Sequence, residues 1–517
     1  MMLSPIPTDD RYIRVTRHSD RWVVEGPSHC FLSPVRSQES RGGPVTMYSE
    51  WTWDGEQLLL KNDPLAFYPL FYAHRDGEML VSPSLTTLIA RGASTELDDA
   101  ALAAFLRLKF FLGEDTPFKA IRVLPPSGYL RWTGASPEVR GRLWTPRFQS
   151  LSPVAAMDLY ADTLRDAVRR SMPMEGSWAL PLSGGRDSRH LLFILCELGR
   201  PPDACLTAQY PPPKANEGAV AAAVAQALRV KHLTIERHPS ELLSELKKNV
   251  LTHHSAIEHA WVVALMEFVA GRYSGLYDGI GGDVLSAGLY LDEHRLRLFH
   301  DGRLRELGDL LLGQEGYLPA LLSRGSYRRF GREAALDRVV KELGRHVDAA
   351  NPVGSFLFWN RTRRCVALSP FGILSRACSV LTPYLDPAVY ELLASLPATM
   401  FLDHRFHTDT IARAFPKYVD VPYQPKGARQ TGAGPSYHKL AANLLQYSRT
   451  GSGRLARTGF ITTRTLRALV DPWYASAIES FGALAIYLLQ LEQMAADPST
   501  ALGTIVPQTA ADLRADS

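Results

Sequence analysis

The hexapeptide Ser183-Gly184-Gly185-Arg186-Asp187-Ser188 constrains this chain more than any other stretch. It sits between a short apolar run at residues 178–182 and a helical pattern at residues 189–198. A strand, a tight glycine turn and a helix start, in that order, gather backbone N–H groups and the positive end of a helix dipole into one concavity, which suits phosphate. Gly184 and Gly185 lack Cβ, so the turn is free to take φ > 0 and the backbone can close on an oxygen-rich ligand. Ser183 and Ser188 add hydroxyl donors, and Arg186 adds a cation. Asp187 would repel phosphate unless a divalent cation bridged the two; Mg²⁺ is held in this way, by one or two carboxylates together with substrate phosphates. The plainer reading is a glycine-rich turn capping an ordinary helix, and the strand–turn–helix context favours the nucleotide site over it.

A second glycine-and-acid stretch, Asp278-Gly279-Ile280-Gly281-Gly282-Asp283, follows the apolar pair Leu276-Tyr277. Another strand end of this kind brings Asp283 opposite Asp187, giving a metal–pyrophosphate complex its two carboxylates. The alternative is a turn closed by an Asx hydrogen bond. No GxxxxGK[ST], GxSxG or GxGxxG occurs, so Walker-type, hydrolase and dinucleotide readings lack their sequence support. His253, His254, Glu258 and His259 lack the HExxH spacing and read as a solvated helix start.

Along the chain, short β-like runs at residues 12–15, 22–24, 57–60 and 79–81 are separated by Gly, Pro and Asp turns, and a helix is expected over 97–109. Residues 136–153, rich in Gly, Ser and Pro, read as a linker, and 155–169 as an amphipathic helix. Strands at 204–208 and 231–235 then alternate with a helix at 216–228, the pattern of a parallel sheet with helices on both faces. The proline run at 210–217 either shapes a loop over the nucleotide or serves as a rigid connector. Helices are expected near 295–312, 333–349, 360–379, 386–396 and 481–496, and the tail 501–517 reads as disordered. At 517 residues two or three domains are expected. The formal net charge of +4, without a basic run, gives no reason to expect nucleic acid. No apolar run long enough to span a bilayer and no signal-type N-terminus is evident, so a cytoplasmic protein is expected. The five cysteines form no CxxC pair, and neither a disulfide framework nor a zinc site is signalled.

Several of these pieces together resemble a known family. The hexapeptide resembles the PP-loop of ATP pyrophosphatases. With residues 278–283, similar to an "SGEGADE" segment, and Pro383-Tyr384-Leu385-Asp386, similar to a "PFLD" landmark, the chain looks like the asparagine synthetase and β-lactam synthetase group. Asn62-Asp63-Pro64 through Tyr72, Leu80 through Ser84, and Phe118 through Leu130 are similar to structural segments of that group's N-terminal glutaminase domain. The resemblance implies an α+β glutaminase-like (Ntn-type) sandwich over residues 1–135. It further implies an α/β PP-loop (adenine nucleotide alpha hydrolase-like) parallel sheet with a helical C-terminal extension over 154–500. The reaction it implies is adenylation of a small-molecule or peptide carboxylate by ATP, then attack by an amine donor, with no nucleic acid or membrane partner and with a homodimer compatible. ATP and pyrophosphate would lie on Ser183, Gly184, Gly185, Arg186, Asp187, Ser188, Leu206, Gly279, Gly281 and Gly282, with Mg²⁺ on Asp187 and Asp283. Lys426, in a segment similar to the family's "RxK", would neutralise charge as pyrophosphate departs; otherwise it is a surface lysine.

The departures matter as much. A glutaminase of that family uses a cysteine that becomes the first residue, its α-amine serving as base. This sequence starts Met1-Met2-Leu3, and Cys30 would need an unsignalled cleavage, so the domain reads as vestigial. Ile280 stands where asparagine synthetases have Glu and β-lactam synthetases Tyr, and Ser379 and Leu381 where asparagine synthetases have Glu and Arg. These point away from aspartate and toward a natural-product cyclase or ligase of β-lactam or lasso-peptide type. The alternatives are an ammonia-dependent asparagine synthetase and a nucleotide-binding protein without catalysis.

Overall fold

A computed structural model of the chain describes residues 10–19, 21–35, 47–173, 175–209, 217–423, 435–471, 474 and 478–498. Its N-terminal part is built from two antiparallel sheets. One runs in the order β2 (Arg21–Glu25), β1 (Ile13–His18), β7 (Glu78–Ser82), β6 (Phe71–Arg75), β8 (Ile121–Val123). The other runs β10 (Glu138–Arg140), β9 (Tyr129–Trp132), β5 (Leu58–Asn62), β4 (Ser49–Trp53), β3 (His29–Leu32). Strand alternation decides which faces meet: in β4, Trp51 and Trp53 are buried while Thr52 between them is exposed. Trp22 from the first sheet packs edge-on against Trp53 and Trp132 from the second, at 5.1 and 5.6 Å between ring centroids.

The C-terminal part centres on a five-stranded sheet, β13 (His232–Ile235), β12 (Ala204–Ala208), β11 (Trp178–Pro181), β14 (Gly275–Tyr277), β15 (Ser379–Leu381), with every pair parallel. The strand order reverses direction between β11 and β14, which puts a crevice at their C-terminal ends. The helix Pro153–Ser171 leads into this sheet. Its start is set by the Ser152 hydroxyl, which accepts from the Ala155 N–H, and by Pro153 in the first turn, and its last turn carries Arg169 and Arg170.

Three expectations are corrected. The helix over 360–379 is instead two wide π-type segments, Phe358–Val366 and Ser369–Ile373, followed by β15. Nearly all of these side chains are buried, so no exposed face gives the sequence a period, and a three-residue strand carries too little pattern to register. The helix over 295–312 is broken at Gly302, whose φ is 69°, into Glu293–His300 and Leu304–Leu312. His253 and His254 are not solvated: they are 2% and 0% exposed. Both take positive φ as the chain turns back after the helix Glu241–Leu251, and the His253 ring packs on Phe71 of β6.

The two parts meet along a packed seam. Phe67 lies against Phe358 and Phe105 against Tyr487, at 5.1 and 5.0 Å. The Gly113 N–H donates to Asn360 Oδ1 at 2.8 Å, while its carbonyl accepts from Arg363 at 2.9 Å. Residues 136–153 include β10 and are pinned at two points: the Tyr390 hydroxyl donates to the Trp144 carbonyl, and the Gln149 N–H to the Ser395 carbonyl. Among the described residues no helix is long and apolar enough to cross a membrane.

Candidate active site

The hexapeptide lies where β11 ends. Leu182 N–H extends the ladder by donating to the Leu206 carbonyl of β12 at 2.8 Å, and Leu206 itself is buried. Neither Gly184 nor Gly185 takes positive φ, contrary to expectation. The turn is closed by side chains instead: the Ser188 hydroxyl accepts from Ser183 N–H at 3.2 Å, and the Ser183 hydroxyl accepts from Gly185 N–H at 3.1 Å. A Cβ on Gly185 would come within 3.1 Å of that Ser183 oxygen, so close approach, not backbone hand, is what glycine provides there. Arg186 donates to the Thr408 hydroxyl, and Asp187 begins the helix Asp187–Glu197.

The second loop folds directly onto Asp187. Asp283 N–H donates to Asp187 Oδ2 at 3.1 Å. Gly279 and Gly282 line the contact: a Cβ on Gly282 would lie 2.6 Å from the Asp187 carboxyl carbon, and one on Gly279 2.9 Å from its Cβ. Gly281, at φ 93°, makes the turn into the short helix Gly282–Ser286. The sequence thus brings together Ser183, Asp187, Ser188, Gly279, Gly281, Gly282 and Asp283. Lys426 lies outside the described residues, as does most of the 210–217 run.

Charge in this crevice is unbalanced. Burial, and after it the neighbouring Asp283 carboxylate, push Asp187 well above the usual carboxylate range. Burial also raises Asp283, against an opposing pull from Arg361. Asp278, at the end of β14, is raised by burial to about 6, its Oδ1 accepting the Ile280 N–H at 2.8 Å. Arg186 is turned to Thr408, and Arg361 lies 3.7 Å from Glu258. Two neighbouring acids without a paired cation are what a divalent ion requires. Among the described residues no three such side chains cluster, so the donor set fits an ion completed by phosphate oxygens, as Mg²⁺ is, and not a closed protein cage.

Some residues around the site carried no sequence signal. Behind Asp187 lie five buried polar groups, Tyr160, His190, Ser286, Tyr384 and His407. Tyr384, within the landmark noted above, donates to the Asp187 carbonyl at 3.1 Å. His190 sits three residues after Asp187 on the buried helix face, a spacing from which it was legible; His407 comes from a distant helix and nothing local marks it. Beside the crevice, at the ends of β12 and β13, opens a cavity of about 630 Å³ lined by Ala208, Ile235, Glu236, His238 and Trp261, with Lys109 reaching in from the N-terminal part. Such a volume suits a nucleotide-sized ligand.

The N-terminal part holds Cys30 in β3, paired across to Trp51 of β4. Two strands precede it, and β1 lies inside its sheet between β2 and β7, so a cleavage that freed Cys30 as a first residue would remove β1 and β2.

A glutamine amidotransferase domain model matches residues 45–142, and the asparagine synthase model matches residues 159–495. No curated protein matches the chain. Among solved structures, a glutamine phosphoribosylpyrophosphate amidotransferase from B. subtilis, complexed with ADP and GMP, matches at 10% identity and a TM-score of 0.15, over 38% of this chain and 48% of that one. The chain therefore spans about half the length of that structure. The asparagine synthase match runs over well more than half of the chain and takes in both acid-bearing loops and all five parallel strands, so the chain belongs to the asparagine synthase family.

Proposed function

We propose that the chain is an ATP-dependent amide ligase that forms AMP and pyrophosphate and does not hydrolyse glutamine. The observation that carries this reading is the juxtaposition of Asp187 and Asp283, joined through the Asp283 N–H at 3.1 Å at the mouth of a parallel sheet. In the proposed reaction a carboxylate oxygen attacks the α-phosphorus of ATP and the bond to pyrophosphate breaks. The amine nitrogen then attacks the acyl carbon, loses a proton and expels AMP. Mg²⁺, when bound, neutralises phosphate charge. Asp187 and Asp283 are the residues that would hold it, while the Ser183 to Ser188 turn receives the pyrophosphate at the helix start. Lys426 is proposed to offset the charge of the departing group.

Two features support a specialised acceptor over aspartate. Ile280 is buried and offers no polar atom beyond its backbone, and Ser379 and Leu381 are buried within β15, where they present no charge. The enclosure of Cys30 within β3 supports an amine that does not come from glutamine. A β-lactam or lasso-peptide type of ring closure in the cytoplasm is the form of substrate chemistry we favour. The test is exchange of labelled pyrophosphate into ATP with candidate carboxylates, followed by AMP release on adding amine. Rapid asparagine formation from aspartate, ammonia and ATP would defeat the specialised reading, and absence of AMP with every acceptor would defeat the ligase.

A further inference from the structure

We propose that His407 is a positioning residue, which fixes the Asp187 carboxylate by donating its Nδ1–H toward Oδ1 from the buried side. This rests on the ligase reading, because Asp187 is the acid assigned to the metal there. His407 is fully buried in the helix Phe406–Ala414, with Nδ1 2.9 Å from Ser286 Oγ and 3.4 Å from Asp187 Oδ1. The proton on that nitrogen follows from its neighbours. Ser286 has one hydroxyl hydrogen, which it gives to the Gly282 carbonyl at 2.6 Å, so its oxygen is an acceptor toward the ring. On the other side stands a carboxylate oxygen. Ser286 accepts at the shorter distance, so Nδ1 carries the hydrogen.

The far side of the ring is arranged to match. His407 Nε2 lies 3.2 Å from His190 Nδ1, which can donate to it, and 3.4 Å from the oxygen of Tyr160, whose hydrogen goes to Ser286 Oγ at 3.3 Å. Tyr384, 3.5 Å from the same nitrogen, has its hydrogen on the Asp187 carbonyl. One helix turn thus holds both charged residues of the hexapeptide: His407 steadies Asp187, and Thr408 accepts from Arg186. Asp283 N–H occupies Oδ2 at 3.1 Å, and the His407 ring stands on the Oδ1 side at 3.4 Å. A histidine in this position orients a metal-binding carboxylate in the way that outer hydrogen-bond partners orient metal ligands generally.

The test uses the full chain and Mn²⁺ with pyrophosphate as probe, with affinity read by calorimetry or electron paramagnetic resonance. His407→Phe removes both ring nitrogens and is expected to weaken Mn²⁺–pyrophosphate binding about 10- to 100-fold. His407→Asn keeps an N–H near the Nδ1 position and is expected to stay within about threefold of the parent, whereas His407→Gln, which places its amide near Nε2, behaves like Phe. Ser286→Ala leaves Asp187 as the sole acceptor and is expected to bind within about twofold of the parent, which keeps the test open if the Phe variant fails to fold. In EDTA, melting temperatures of His407→Phe, Asp187→Asn and the double variant form a cycle with a non-zero coupling. The proposal is overturned if folded His407→Phe binds as tightly as the parent, if Gln rescues and Asn does not, if Ser286→Ala weakens binding as much as Phe, or if the cycle shows no coupling. Absence of Mn²⁺–pyrophosphate binding by the parent itself would overturn the ligase reading along with it, and the EDTA cycle separates the two.

Discussion

Acids are enclosed both at the seam between the two parts and at the top of the parallel sheet, and the two places partner them differently. At the seam between the two parts, Arg338 forks onto Asp115 at 2.8 and 2.6 Å while Arg122 reaches the same carboxylate at 2.8 Å. Nearby, burial pushes Glu342 up, yet the hydrogen bonds and charges of His346 and Arg345 hold it at about 2. Burial raises Asp115 as well, but the two arginines oppose it; at the top of the parallel sheet Asp187 and Asp283 lie beside one another instead, joined through a backbone N–H, and both are raised. Burial alone therefore does not separate structure from site. Here the acids matched by arginines belong to the scaffold, while the pair at the sheet edge, left without a counter-charge, is the candidate for holding a ligand's charge.

The largest effect expected to sharpen this contrast is on turnover. Asp187→Asn or Asp283→Asn is expected to cut AMP formation by about 10²- to 10³-fold, with melting temperature in EDTA unchanged or raised, because a buried charge has been removed. A clear loss of stability would place these acids with those of the seam. Asp115→Ala is the converse. It strands Arg338 and Arg122, and chemical denaturation is expected to show a loss of about 3 kcal/mol, the low end for a broken buried pair since both arginines keep some contact with water. Activity per folded molecule should survive; its loss would break the division.

Gly282→Ala comes next. Its methyl would meet the Asp187 carboxyl carbon at 2.6 Å and tilt that group, for an expected loss of about 10- to 100-fold in AMP formation. A parent-like rate would show that the carboxylate's placement matters little. The smallest effect concerns pH. Asp278, raised to about 6, and the raised Asp187 and Asp283 hold protons in the fold where the unfolded chain, titrating near pH 4, has released them. Their contribution to unliganded stability is thus lost as pH climbs from about 4 through 6 and beyond. On the proposed reading a divalent cation takes the ionised acids, so the melting-temperature gain on adding Mg²⁺ with pyrophosphate is expected to be a few degrees larger at pH 8 than at pH 5. Equal gains at both would remove the distinction between the two regions.

What was legible in the sequence was what lies close together along it. The strand at 204–208 is where its apolar run put it, and both glycine loops declare themselves because turn, acid and helix start are consecutive residues. The nearness of Asp187 and Asp283 was readable as an expectation since both follow strand ends of one sheet. Other parts were hidden for physical reasons. β15 is short, and the π-type run before it buries its polar residues Asn360, Thr362, Arg363 and Arg364 along with its apolar ones, so no division into wet and dry sides can be read from residue type. His253 and His254 looked like solvated residues because burial of a histidine depends on what packs over it, here Phe71, which is far away in the chain. His407 reaches the site across more than two hundred residues, with only a single ordinary helix position to show for it.

The aromatic seam has an evolutionary consequence. If the ligase half were inherited alone, Phe358 and Tyr487 would lose Phe67 and Phe105 and be left bare to water, and the Asn360 and Arg363 side chains would lose Gly113. The amino-terminal half therefore covers surface that its neighbour cannot leave bare, and serves as its keel whatever chemistry it carries.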